Sequence, residues 1–125
     1  MYTSDMKFAD THEWIRLEDA AHVSVGITNH AQELLGDLVY IELPEIGKIV
    51  AKGEGIGVIE SVKSASDLYS PVAGVISAIN PAVVTDPTLA NTDPHHQGWL
   101  FKVKLADVAE LDNLLSADKY KALIG

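Results

Sequence analysis

The chain has 125 residues, 47% of them hydrophobic and 22% charged, which is one ordinary domain's worth of material and too little for a second catalytic domain. Its formal net charge of −9 argues against a nucleic-acid backbone or an anionic membrane surface as a partner and favours proteins with basic docking patches. With no cysteine there is no disulfide, thiolate metal site or cysteine nucleophile, so any sulfur redox chemistry must arrive on an added group.

Met1 to Ala9 lacks the basic flank and apolar run of a signal peptide, and no stretch approaches the roughly 20 apolar residues that span a bilayer. A cytoplasmic location is expected, or the mitochondrial matrix for a processed mature form. Trp14 to Glu18 and His22 to Ile27 are short, β-branched and partly alternating, and the acidic turn Glu18-Asp19-Ala20-Ala21 between them predicts a hairpin. Thr28 or Asn29 can accept the first free N–H groups of a helix over Ala31 to Leu35, which Gly36 can end in a left-handed conformation. From Asp37 to Ile79 short apolar strands alternate with Pro and Gly, the clearest being Leu38 to Ile41, Ile56 to Ile59 and Val75 to Ile79.

Pro44-Glu45-Ile46-Gly47-Lys48-Ile49 and Pro71-Val72-Ala73-Gly74-Val75-Ile76 share the pattern Pro-x-x-Gly-x-Ile at an offset of 27 residues. Each pairs a turn Pro with a Gly free to take positive φ, so each is expected to reverse the chain. The pattern is either common turn chemistry or the trace of two matching halves, which would make a quasi-twofold β-sandwich with Lys63 at the tip linking them. After Asn80 a polar loop punctuated by Pro81, Pro87 and Pro94 is expected, then a half-buried strand over Trp99 to Leu105, where Lys alternates with apolar odd positions. The tail from Ala106 has helical apolar spacing at Val108, Leu111, Leu114 and Leu115, followed by a segment that Ser116 caps and Gly125 closes. One domain over residues 1–125 is therefore expected, with a core at about 12–105 and a helical tail at 106–125 packed on it.

Several motifs lack what their chemistry requires. Gly53-Glu54-Gly55-Ile56-Gly57 has Val58 where a dinucleotide fingerprint needs its third glycine, and reads as a β-turn. His12-Glu13 would begin a zinc-protease helix, but Arg16 stands at the second histidine position. Ser116-Ala117-Asp118-Lys119 has the Ser-x-x-Lys spacing of a hydrolase without its companion elements, and Ser116 serves better as a helix cap. His95 and His96 near Asp93 could bind a metal, although adjacent histidines in a proline-rich loop are more often simply solvated.

The informative segment runs from Glu60 to Gly74. Lys63 sits at a tight reversal flanked by Ser, Ala and Asp, small or polar residues that leave its amine open to an approaching enzyme. Taken alone, such a lysine is a solvated charge with no further role. Its neighbours point to a larger one, because Glu60-Ser61-Val62-Lys63-Ser64-Ala65-Ser66-Asp67 resembles the Glu-Ser-Val-Lys-x-x-Ser-Asp motif around the lipoyl-lysine of the glycine cleavage system H-protein family. Three further blocks agree in order: His12-Glu13-Trp14; Gly26-Ile27-Thr28 with Ala31-Gln32 and Leu35-Gly36-Asp37; and Gly98-Trp99 before the late strand. Together they cover the chain from about His12 to Leu123. Departures are Ser64 where the family usually has Ala, His95-His96-Gln97 in place of a Tyr-Gly-acidic run, and Ala90 in place of a larger aliphatic.

The resemblance implies a mainly β barrel-sandwich hybrid of the lipoyl/biotinyl type with short peripheral helices, working as a carrier and not as an enzyme. It implies lipoate joined to Lys63 as an amide. It further implies partners in the family's system: a pyridoxal-phosphate glycine decarboxylase that loads the aminomethyl group of glycine, a tetrahydrofolate-dependent aminomethyltransferase that unloads it, an FAD-containing dihydrolipoyl dehydrogenase, and lipoyl-attaching enzymes. A monomer is expected. By resemblance the loaded arm folds into a cleft near His12-Glu13-Trp14, with Glu13 and Asp67 as charge partners, Thr11 as a hydrogen-bond partner, and Ile27, Ala31 and Leu35 as an apolar wall. Biotin is disfavoured because Val62 and Ser64 replace the methionines that usually flank its lysine. The rival functions are a relay passing lipoate or octanoate to other lipoyl domains, a hydrolase using Ser116 and Lys119, and an interaction domain with an unmodified Lys63.

Overall fold

The computed structural model describes residues 5–125. The expected hairpin is present as β2 (Glu13–Leu17) and β3 (His22–Ile27), preceded by β1 (Met6–Phe8). Met6 and Phe8 are buried, so the chain becomes part of the folded core before His12. Helix α1 (Asn29–Leu35) starts at Thr28, whose hydroxyl accepts from Ala31 N–H, and stops at Gly36 with φ 82°. There follow β4 (Leu38–Glu42), β5 (Ile49–Val50), β6 (Gly55–Ser61), β7 (Ala65–Tyr69), β8 (Gly74–Ile79) and, later, β9 (Phe101–Leu105). Two sheets result, ordered β1-β2-β3-β9-β8-β5 and β4-β6-β7. Ile15, Val23, Val25, Val103 and Ile76 from the first and Ile41, Ile59 and Leu68 from the second close one apolar cluster, the arrangement expected of a barrel-sandwich hybrid.

The 27-residue offset is structural. It carries β4 onto β7, the two strands that flank β6, while the two Pro-x-x-Gly-x-Ile copies pair with each other as β5 and β8. Gly47 takes φ 93° and turns the chain as expected, and its N–H donates to Ile76 C=O at 2.7 Å. Gly74 does not share that role. A Cβ there would fall 2.1 Å from the Lys104 carbonyl oxygen, so this glycine is needed for close approach of β8 to β9. Gly74→Ala is expected to cost about 3 kcal/mol, lowering the melting temperature by about 10 °C in a thermal unfolding scan.

Residues Pro81 to Pro94 are not the open loop that their polarity suggests. Asn80 caps α2 (Pro81–Thr85) with Pro81 in the first turn, where its missing N–H costs nothing, and α3 (Leu89–Thr92) follows. In the tail, Val108–Asn113 is a 3₁₀ turn and Ser116 caps α4 (Ala117–Ile124), as expected of the Ser-x-x-Lys segment. Tyr120 from α4 joins Met6, Phe8 and Trp14 in a second buried cluster. No helix among the described residues is long and apolar enough to cross a membrane.

Candidate functional site

Lys63 lies in the reversal between β6 and β7. The turn is built by Ser61, whose N–H donates to Ser64 C=O at 2.7 Å and whose hydroxyl accepts from Ser64 N–H at 3.1 Å and Lys63 N–H at 3.3 Å. A serine that satisfies two turn amides holds the reversal without bulk at its tip. Val62 N–H donates to Asp37 C=O at 3.0 Å, tying this tip to the end of α1. The Lys63 stem lies over Gly36, where a Cβ would stand 3.2 Å from Lys63 Cε, so the positive φ and the absent side chain at Gly36 both serve this contact. Lys63 is exposed, and among the described residues its amine forms no ion pair.

Asn91, which nothing in the sequence singles out, fixes the platform under Lys63. Its amide donates to Gly36 C=O at 2.9 Å and Gln32 Oε1 at 3.1 Å, and its carbonyl accepts from Leu38 N–H at 2.9 Å. An asparagine that supplies donors and an acceptor to one chain segment is a signal, but it becomes visible only once α3 is placed beside α1.

Thr11, Glu13, Ile27, Ala31, Leu35 and Asp67 all line one pocket of about 150 Å³. His12, Leu34, Ile59, Ser66 and Leu68 complete it. Strand register explains the convergence: Glu13 faces Ile27 across β2 and β3, and Ile59 faces Ser66 across β6 and β7. Ile59 lies in a segment expected as a strand, Leu68 lies in one that was not, and neither was expected as a pocket wall. A larger open groove of about 940 Å³ between the β4–β5 loop and β6 shares Asp67 but contains neither Glu13 nor Thr11.

Glu13 is 3% exposed and accepts a hydrogen bond from the Thr11 hydroxyl. Burial pushes its carboxyl up to about 7, Asp10 adds to the rise, and the Thr11 bond opposes it. Such a group is half ionised near neutrality and is held as a carboxylate when a cation enters. Asp67 is exposed at the other side, within reach of the Tyr69 hydroxyl at 3.5 Å. His12 sits at φ 73°, and burial followed by the neighbouring His30 lowers its basicity. The pocket thus combines aliphatic walls with two carboxylates.

Trp14 anchors this corner. Its ring covers Gly26, where a Cβ would lie 2.7 Å from three ring atoms, and its indole N–H donates to Pro94 C=O at 2.8 Å. The first two sequence blocks are therefore one packing unit. His95 is not the solvated residue expected: it is buried, its Nε2 accepts from Asn29 N–H at 3.1 Å, and its carbonyl accepts from Arg16 at 2.9 Å. It caps the start of α1. Among the described residues no group of three His, Asp or Glu side chains is placed to hold a metal ion. Ser116 accepts from Lys119 N–H at 3.3 Å, which is a cap and not a nucleophile's setting.

The site is thus an open lysine on a hairpin together with a small acidic and aliphatic pocket. A model of the glycine cleavage H-protein family matches residues 6–125. The chain belongs to the glycine cleavage H-protein family. It is 55% identical over 118 residues to a glycine cleavage system H protein of Legionella pneumophila strain Corby, covering 94% of each chain. It is 54% identical over 121 residues to one of Alcanivorax borkumensis, covering 97% of this chain and 94% of that one. The crystal structure of a glycine cleavage system H protein from Mycobacterium marinum superposes with a TM-score of 0.89 at 42% identity, covering 98% of both chains. The H-protein fold thus accounts for both sheets and for the C-terminal helix.

Proposed function

We propose that this chain is the lipoyl carrier of glycine cleavage, with lipoate attached as an amide to Lys63 and the protein itself catalysing no bond change. The observation that carries the reading is the exposed Lys63 amine on a serine-braced turn beside the pocket of Glu13 and Asp67. The site fits such a group: a primary amine for the amide, aliphatic walls for a hydrocarbon arm, and carboxylates for an amine cargo. When bound, lipoate supplies the disulfide that receives the aminomethyl group of glycine and the electrons released with it.

The chain's own residues then have three tasks. Ser61 and Gly36 present the lysine, Glu60 and Val62 continue the strand into the turn, and Ser66 and Asp67 lead away from it along the pocket rim. Ile27, Ala31 and Leu35 exclude water from the pocket, which strengthens any charge pairing inside it. Glu13 and Asp67 hold a cationic amine, with Thr11 orienting the Glu13 carboxyl. The partners in this reading are the pyridoxal-phosphate decarboxylase, the tetrahydrofolate aminomethyltransferase, the FAD dehydrogenase and a lipoyl-attaching enzyme, all meeting a monomeric single-domain carrier in the cytoplasm.

The test is intact-mass spectrometry with peptide mapping on protein made in lipoate-replete cells, followed by reconstitution with the three enzymes. A lipoyl increment confined to the peptide bearing Lys63, with glycine-dependent carbon dioxide release, is the expected result. An unmodified lysine in the presence of a competent ligase would refute the reading.

A further inference from the structure

The C-terminal helix α4 lies outside both sheets, yet one of its side chains reaches the pocket's frame. Tyr120 is fully buried, stacked on Phe8 with ring centroids 4.7 Å apart and planes 9° from parallel. Its hydroxyl lies 2.8 Å from His12 Nδ1 and 2.8 Å from Thr28 Oγ1. His12 lines the pocket, and Thr28 begins the helix that contributes to it. His12 stands between Thr11 and Glu13 in a left-handed conformation that a non-glycine residue adopts only when its surroundings hold it there. Thr28 caps α1, whose Ala31, Leu34 and Leu35 line the pocket, and its N–H donates to His12 C=O at 3.0 Å.

We propose that Tyr120 is a positioning residue for the arm pocket, its hydroxyl clamping the His12 turn to the head of α1 and so setting the pocket's width. This rests on the reading that the pocket shelters the carrier's cargo. The direction of the hydrogen bonds follows from burial. Thr28 is fully buried, and its oxygen already accepts from Ala31 N–H at 3.1 Å. Among the described residues its hydroxyl hydrogen has one acceptor in reach, Tyr120 Oη. Thr28 therefore donates to Tyr120, and Tyr120 donates to His12 Nδ1, leaving no buried donor unpaired. His12 is held as the neutral tautomer with its proton on Nε2, and the burial and the His30 neighbour that lower its basicity act in the same sense.

Tyr120→Phe keeps the ring on Phe8 and deletes both hydrogen bonds. The unloaded full chain, ¹⁵N-labelled, is examined first by the ring nitrogen shifts of His12 at a pH where it is neutral. The expected result is a downfield move of the unprotonated Nδ1 resonance, because the donor bonded to that nitrogen has gone. In the loaded, lipoylated chain, loss of cargo to water is expected to rise about fivefold, the effect of one neutral hydrogen bond. Leu115→Ala serves as the control, since it loosens the packing of α4 and leaves the hydroxyl in place. The control is expected to lower the melting temperature without moving the His12 Nδ1 resonance. An unchanged Nδ1 resonance in Tyr120→Phe, or an equal change in Leu115→Ala, would overturn the proposal. If Glu13→Gln accelerates cargo loss and Tyr120→Phe does not, the pocket reading stands and the clamp falls. If neither variant changes cargo loss, the shelter itself falls, and with it the clamp's purpose.

Discussion

Lys63→Arg is expected to abolish lipoylation and, with it, all glycine-dependent turnover in a reconstituted system, while leaving the fold intact. Arginine keeps the positive charge and the length of the side chain, but its guanidinium is a poor nucleophile for amide formation at neutral pH. The turn depends on Ser61 and on backbone groups, and the Lys63 amine contributes no ion pair among the described residues, so little stability rides on the substitution. The change in unfolding free energy should stay within about 0.5 kcal/mol, as for other exposed positions. Intact mass, turnover and a denaturant curve on the same preparation separate the two effects. Full turnover by the arginine variant would remove Lys63 from the function.

The second large effect is at Glu13, and it has opposite signs for stability and for cargo. The folded chain raises this carboxyl from its ordinary 4.5 to about 7, chiefly by burial. The protonated form is therefore the stabilising one: its contribution is fully present below 4.5 and is lost as pH rises through 7. Across that window the stability lost is about 3 kcal/mol. Glu13→Gln keeps the shape, deletes the titration and should unfold at higher urea than the parent at pH 8, with the difference gone at pH 4. The same variant cannot form an ion pair with an amine. Loss of cargo from its loaded form should rise about tenfold, the scale of a charge-assisted hydrogen bond. Asp67→Asn, at an exposed position, should show a smaller rise. A Glu13→Gln protein that holds its cargo as long as the parent would end the pairing role, whatever its urea midpoint.

This opposition has a functional sense. A carboxylate kept half protonated by its surroundings binds a cation by releasing a proton, so the pocket need not hold a buried bare charge while it is empty. Thr11 makes the ionised state accessible by donating to it, and the aliphatic walls make it costly. Removing either would move the balance. The pocket's chemistry therefore belongs to the set of residues around Glu13 more than to Glu13 itself.

Much of this molecule was legible in one dimension. The hairpin of β2 and β3, the capped helix α1, the strands β4, β6, β8 and β9 and the capped α4 follow from alternation, caps and turn residues, all of which act over a few neighbouring positions. Lys63 and its motif were legible because the residues that build one tight turn are contiguous in the chain. The six pocket residues came from resemblance to a family and not from pattern, and only the structure shows that they adjoin one cavity. Polar strands and buried polar residues were harder. Ala65–Tyr69 has almost no apolar alternation, because Ala65, Ser66 and Asp67 are exposed in succession on both faces and pairing with β6 supplies the order. Pro81 to Pro94 reads as a loop, yet Pro81 in a first turn and Asn80 as a cap give helix once Val83 and Ala90 have a core to enter.

What the sequence determined by itself, then, is local: where the chain turns, which short segments pair or coil, and which lysine stands at the tip of a turn. The tertiary structure decided everything that needs two distant segments at once. It made Gly74 a point of close approach to β9, buried His95 against α1 and placed Asn91 under the lysine's platform. It also raised Glu13's proton affinity by enclosing it and brought Tyr120 to His12 across most of the chain's length. The physical reason is that burial, desolvation and hydrogen-bond completion are properties of a surrounding, and a surrounding exists only after the chain has folded around it.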